Sequence, residues 1–468
     1  MTTPDASTAG ARATVGARLV AWTSGLQLAD VPASARRAAL RHLLDGVGTA
    51  LAARRAGVVD PAVAVARGLG GPAQAPVLGD RDAIGSAAAA FGTGALVHGL
   101  DFDDTHAGGL VHATAVVLPA AFAVGLERGA TGAEVLAAAV AGYETVCRVA
   151  AASPHGFHAR GLHATAIAGA LSSAVVAARL AGLDAATTLD ALGIAGSAGG
   201  GLLEFLSTGS STKQLHPGSA SLNGVLAARL AEAGASGPGS VLEGPHGVYA
   251  ALSAREADPA SVVAGLGERF EVERITVKPY PSCQLMHVTL DAVRAVLPSV
   301  PRPEAVTEVV AYVHPDSASI VCEPAAVKLA PRTPYDAKFS LPWSVAALLV
   351  DRSIGVDTYA APSIARPEVA ALARRVRTVV ADPGLVAADA PGRVEVALAD
   401  GTVLLGEVPR SVGTPESPLD DEALLAKFLA NAGGTPSAHS LAEAVLGLAD
   451  APDLRRLHAL AADAASAS

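Results

Sequence analysis

A chain of 468 residues is too long for one ordinary core, so two domains are the starting expectation. Its net charge of −10 carries no block of one sign, which excludes a nucleic-acid partner, whose phosphates call for a basic face. No apolar run reaches membrane-spanning length without Arg, Asp or Glu, and the start MTTPDASTAGARATVGARLV lacks a signal peptide's charged start and apolar stretch, so a cytoplasmic protein without membrane contact is expected.

From about residue 11 to 265, apolar residues recur at three and four spacing, as in ASARRAALRHLLDGVGTALAAR and GAEVLAAAVAGYETVCRVA. Much of the apolar half is alanine, a good helix former with little transfer energy, so closely approaching helices are expected. Thr131 stands where a helix starts and Gly182 closes the run that begins near Ala164. Near 270 the texture changes. ERITVKPY and TEVVAYVHP carry clustered β-branched residues, and RVEVALADGTVLLGEV reads as a hairpin with Asp400-Gly401 at its turn. Helical runs LMHVTLDAVRAVL and AKFSLPW lie between them, and after Pro409 the chain returns to helices from about Asp420. The fold class is therefore mainly α: a large all-helical domain, 1–268 completed by 409–468, plus a smaller α+β domain, 269–408.

Five segments carry the chemistry. HGLDFDDTHAGGLVHATAVVLP brings Asp101, Asp103, Asp104, Thr105, His106 and His112 within twelve residues, with Gly108 and Gly109 breaking the helix into a loop. The pattern suits helix capping and a turn, or metal ligation by Asp101, Asp103, His106 and His112, although only the Asp-x-Asp pair has ligand-like spacing. In HGFHARGLHATAIAGAL, His155, His158 and His163 precede a small-residue helix whose start suits a carboxylate, and His163 lies nearest it. STKQLHPGSASLNG places Lys213 and His216 in a Gly/Ser/Thr loop that lacks the phosphate-loop pattern. ITVKPYPSCQLMHVTLDAV carries Cys283 and, in the first turns of a helix, His287. An acid/base or binding role suits His287 better than a thiol-nucleophile pair, because no third orienting group is near. TPYDAKFSLPW adds Lys338 at a helix start.

Only five of the 34 basic residues are lysines: Lys213, Lys278, Lys328, Lys338 and Lys427. Arg serves wherever a solvated positive charge is enough, so each lysine calls for a reason, and an ammonium in a hydroxyl-rich segment suits a substrate carboxylate. The cysteines Cys147, Cys283 and Cys322 are odd in number and far apart, which offers neither a disulfide framework nor the ligand set of an iron–sulfur hydro-lyase.

Six collinear segments, from HGLDFDDTHAGGLVHATAVVLPAAFAVG through LHATAIAGALSSAVVAARLAGL, STKQLHPGSASLNGVLAARLAEAG and KPYPSCQLMHVTLDAV to YDAKFSLPW, resemble the MmgE/PrpD family of 2-methylcitrate dehydratases, cis-aconitate decarboxylases and an iminodisuccinate epimerase. The resemblance implies a large helical domain with a smaller α+β domain, a homodimer, no metal and no cofactor. Carried over residue by residue, it implies a site of Asp101, Thr105, His112, His163, Lys213 and His287. The family commonly has proline where this chain has Ala113 and Ala164, and proline fixes φ near −65°, so both loops are expected to sit differently.

Dehydration, decarboxylation and epimerisation of a small di- or tricarboxylate all place negative charge on a carbon beside a carboxylate, or take a proton from it. Each needs a fixed cation and an acid/base near neutrality. The expected roles are substrate anchoring by Lys213, His163 and Thr105, proton exchange by His112 and His287, and orientation by Asp101. A 2-methylcitrate dehydratase-like hydro-lyase ranks first, with decarboxylase or epimerase as the alternative. The rivals are a metal-dependent lyase or hydrolase and a non-catalytic helical scaffold.

Overall fold

The computed structural model describes residues 13–382 and 384–466. Helix starts follow local chemistry. The Thr131 hydroxyl accepts the Glu134 N–H while the Glu134 carboxylate accepts the Thr131 N–H, which opens the helix Gly132–Ala151. The helix Ala164–Leu180 ends just before Gly182, whose φ of +71° is left-handed.

Small residues let these helices approach. Thr212–Glu232 lies against Ala164–Leu180 and Ser86–His98. At its crossing with Ser86–His98, a Cβ added to Gly94 would stand 2.8 Å from the Gly218 Cα, so no side chain fits between the backbones. The helix Asp421–Ala432 packs on Ala33–Arg55, and Leu424 and Phe428 share one apolar cluster with Leu19, Val47, Phe122, Ile275 and Val277.

A second cluster runs from Tyr280 to Leu398 around a four-stranded sheet. Val376–Val380 pairs parallel with Val306–Val313, which pairs antiparallel with Gly392–Leu398, and that strand forms the hairpin with Val403–Val408. The hairpin turns at Gly401, φ +89°. The helix His287–Val296 lies directly on this hairpin: a Cβ on Gly392 would meet the Val288 carbonyl oxygen, and one on Gly406 the Ala292 carbonyl oxygen, each at 2.2 Å.

Two local readings differ from the sequence expectation. The strand in ERITVKPY spans only Ile275–Thr276 and stays out of the sheet; it pairs antiparallel with Thr105–His106. Lys213 is not in a loop but in the first turn of Thr212–Glu232, where packing against two neighbouring helices overrides the loop-like composition of its start. Among the described residues no helix is long and apolar enough to cross a membrane.

Candidate active site

The site is assembled where the segment 99–113 meets the chain around 275–283. Asp101 has φ +52°, a left-handed conformation that Asp tolerates better than most residues. The pairing of Thr105 with Thr276 and of His106 with Ile275 fixes the two segments, and a bridge from His106 to Val111 returns the loop toward His112. Lys278, two residues past Thr276, therefore arrives beside Asp101. Its Nζ donates to Asp101 Oδ1 at 2.6 Å and to the Asp101 carbonyl at 2.9 Å. Lys213 Nζ donates to the other carboxylate oxygen, Oδ2, at 3.1 Å. Burial would raise the Asp101 carboxyl, but the two ammonium groups outweigh it and hold the carboxyl well below its ordinary value.

The other acidic residues of the motif serve the framework. Asp104 accepts the Thr114 N–H at 3.0 Å and the Thr114 hydroxyl, and pairs with His42 at 3.3 Å. Asp103 pairs with His98 Nδ1 at 2.9 Å. His106 donates from Nε2 to Glu271 at 3.1 Å and accepts the Gly109 N–H at Nδ1.

His112 is oriented for chemistry. Its Nδ1 lies 2.9 Å from the Asp104 carbonyl oxygen, which can only accept, so Nδ1 carries the proton and Nε2 presents its lone pair. Lys213 Nζ is 3.3 Å from that Nε2. His163 precedes the first turn of Ala164–Leu180, with its N–H on the Gly201 carbonyl and its Nδ1 3.1 Å from His216 Nδ1. Burial and then Lys213 hold both His112 and His163 well below the usual imidazole value, so both are neutral near pH 7. His158, lowered to about 3 by burial and His155, is neutral as well.

Asp101, Thr105, His112, His163 and Lys213 all line one cavity. Five of the six residues expected from the sequence thus meet around one space. His287 does not reach it. It is fully buried, donates from Nε2 to the Ser282 carbonyl at 3.1 Å, and packs edge-on against Tyr280, so it braces the turn that carries Cys283. Cys283 does line the cavity, and burial followed by Asp101 pushes its thiol up, away from the reactive thiolate. Ala113 has φ −69°, a value proline would also adopt, so the backbone at this position is compatible with the family's proline.

Among the described residues, two sets of side chains have ligand atoms close enough together to hold a cation: His98, His112 and His163, and His98, Asp101, Asp103 and His112. His106, expected in such a set, is turned away to Glu271. Any metal bound by Asp101 would face the ammonium groups of Lys213 and Lys278 on the same carboxylate, which opposes a second cation there.

Sequence reasoning passed over His98, whose ring centroid is 4.5 Å from that of His112, and left Lys278 without a role. The scarcity of lysine was the usable signal. Lys213, Lys278, Lys328 and Lys338 are all buried, and Lys427 donates to the Phe102 carbonyl and pairs with Asp45 beneath the loop.

Residues 17–260 match the MmgE/PrpD N-terminal domain and residues 280–449 the MmgE/PrpD C-terminal domain. The chain is similar to a cis-aconitate decarboxylase of Aspergillus terreus, 27% identical over 482 residues that cover 97% of both proteins. It is also similar to the cis-aconitate decarboxylase of Homo sapiens, 28% identical over 385 residues covering 78% of this chain and 77% of the human protein. A cis-aconitate decarboxylase-like protein of Aspergillus oryzae is 27% identical over 307 residues, 62% of this chain and 63% of that protein.

Proposed function

Because this chain belongs to the MmgE/PrpD family and is a lyase, we propose that it decarboxylates a small unsaturated polycarboxylate in the cavity between Asp101 and His163. The observation that carries the reading is the placement of the Lys213 ammonium between the Asp101 carboxylate and His112 Nε2, on the wall of a cavity otherwise lined by neutral imidazoles, the uncharged Thr105, Cys283 and Gln284, and apolar groups. The relatives' names put decarboxylation ahead of the dehydration that the sequence ranked first, and both reactions need the same cation and acid/base.

In the proposed step the carbon–carbon bond to one carboxylate breaks and carbon dioxide leaves. The electron pair stays on the carbon framework, conjugated with a remaining carboxylate that Lys213 holds, and a proton from His112 Nε2 closes the new C–H bond. His112 is neutral in the free site, and a bound substrate carboxylate raises its basicity, so the imidazolium forms when the anion arrives. Thr105 and His163 supply further hydrogen-bond donors, Asp101 keeps Lys213 in place, and His287 acts through the turn it braces. This chemistry uses no metal and no cofactor. The homodimer and cytoplasmic setting expected from the sequence belong to the same proposal.

Proton NMR in deuterated buffer with cis-aconitate, 2-methylcitrate and citrate tests it. Loss of carbon dioxide with one deuterium placed on carbon is expected. Loss of water from a hydroxy acid would reassign the reaction as dehydration, and no change in any acid would remove the proposal.

A further inference from the structure

The cavity is divided into two chemically different parts, and the division bears on which acid it takes. Asp101, His112, His163 and Lys213 form the polar part. The apolar part is built from Phe205, Phe339, Leu203, Leu206 and Ile320, which with Tyr335 form a cluster that Ile320 joins to the second large core. Leu203, Leu206 and Ile320 are only half-buried, so this cluster does little as a core and instead presents apolar surface to the cavity. Lys213 marks the border: its Nζ lies 5.0 Å from the centre of the Phe339 ring while it contacts Asp101 and His112.

Charge points the same way. Among the described residues that line the cavity, the only charged side chains are Asp101 and Lys213, which are of opposite sign and paired at 3.1 Å, and no arginine takes part. Lys278 stands behind Asp101 with no exposed surface and does not line the space. A compact trianion would bring three carboxylates to the Lys213 ammonium and the imidazolium that forms on His112, and the third, buried without a cationic partner, is costly.

We propose that the preferred substrate is a dicarboxylate bearing an alkyl substituent, with its carboxylates at Lys213 and the imidazoles and its alkyl chain against Phe205, Leu206, Ile320 and Phe339. The proposal rests on the lyase reading above and names the substrate class of that same site. A tricarboxylate is then a poorer ligand than an alkylated dicarboxylate of similar size, and Leu206 and Ile320 become determinants of specificity.

Calorimetric titration with four inert saturated acids, succinate, methylsuccinate, butylsuccinate and tricarballylate, tests this without requiring turnover. Each added methylene should tighten binding about fourfold, so butylsuccinate should exceed methylsuccinate by roughly sixtyfold and should also exceed tricarballylate. Leu206→Asn, at a half-exposed position, should erase about tenfold of the butyl gain while leaving succinate binding in place, with a thermal melt confirming the fold. Tricarballylate binding as tightly as butylsuccinate, or no gain from the butyl chain, would overturn the substrate class while leaving the lyase reading intact. Failure of all four acids to bind would defeat the lyase reading, and this inference with it.

Discussion

Replacing Lys278 with methionine tests the electrostatic core of the site. Lys278 and Asp101 both have no exposed side-chain surface, and the ammonium donates to the Asp101 carboxylate and to its carbonyl. Removing one partner of a buried pair typically costs about 3–5 kcal/mol, because the remaining charge stays buried. Lys213 still holds Oδ2 in the variant, so a loss near 3 kcal/mol is expected. Urea unfolding followed by circular dichroism reads it directly. Arg377→Met serves as a control, since its pair with Glu308 is more than half exposed on both sides and should contribute less than about 1 kcal/mol. Adding Asp101→Asn to Lys278→Met should deepen the loss, because the buried Lys213 ammonium then loses its carboxylate partner. A Lys278→Met variant within about 1 kcal/mol of the native protein would show that the pair does not hold the site as described. The pH dependence carries a matching sign. The Asp101 carboxyl is depressed in the folded protein, so its contribution is present above the ordinary Asp value and is lost as pH falls through the lower folded value. Lys278 is raised by Asp101 and Asp103 against the effect of burial, so its contribution is present below the ordinary lysine value and is lost as pH rises through the folded one. The lysine-dependent part of the alkaline loss should vanish in Lys278→Met.

Other expectations follow from the same geometry. Lys213→Ala should raise KM far more than it lowers kcat, whereas His112→Ala should lower kcat about a hundredfold or more; steady-state kinetics separates the two. The buried histidines His158 and His287, lowered to about 3, and His216, lowered to about 4, stay neutral in the fold, while in the unfolded chain they take up protons near pH 6.5. Stability should therefore fall as pH drops from about 6.5 toward 4, by about 1.4 kcal/mol per pH unit for each such histidine, and His287→Gln should make the slope shallower by about that amount. Exhaustive chelation should leave activity unchanged, with no stoichiometric metal by elemental analysis; activity lost with the metal and restored by adding it back would favour the carboxylate–imidazole ligand set. Gly94→Ala should cost about 1–3 kcal/mol in unfolding measurements, because its Cβ would press on the Gly218 backbone.

What could be read from the sequence was what local chemistry decides. The Thr131–Glu134 box, the glycine after Leu180 and the Asp400-Gly401 turn each depend on residues within a few positions of one another, and each is where the pattern put it. The motif residues Asp101, Thr105, His112, His163 and Lys213 could be collected because the segments that carry them resemble the MmgE/PrpD family, yet nothing local says that they meet. That depends on the pairing of Thr105 with Thr276 and on helices brought close by glycine and alanine, contacts between residues far apart in the chain. The helical setting of Lys213 was hidden by a Ser/Thr/Gly-rich start that reads as a loop. The burial of His287 was hidden because a first-turn histidine looks the same in sequence whether its ring faces a cavity or a neighbouring carbonyl. The apolar wall was hidden for a similar reason, since Phe205 and Phe339 look like ordinary core residues until the two large cores are seen to close without them.

The central claim is that a carboxylate-bearing substrate sits against Lys213 in the cavity shared with His112. A crystal structure with butylsuccinate, a saturated acid that cannot react, tests it most directly. A carboxylate oxygen about 2.7–3.2 Å from Lys213 Nζ, with carbon within reach of His112 Nε2, is the expected result. Butylsuccinate bound in another cleft, with Lys213 still engaged only by Asp101 and His112, would contradict it.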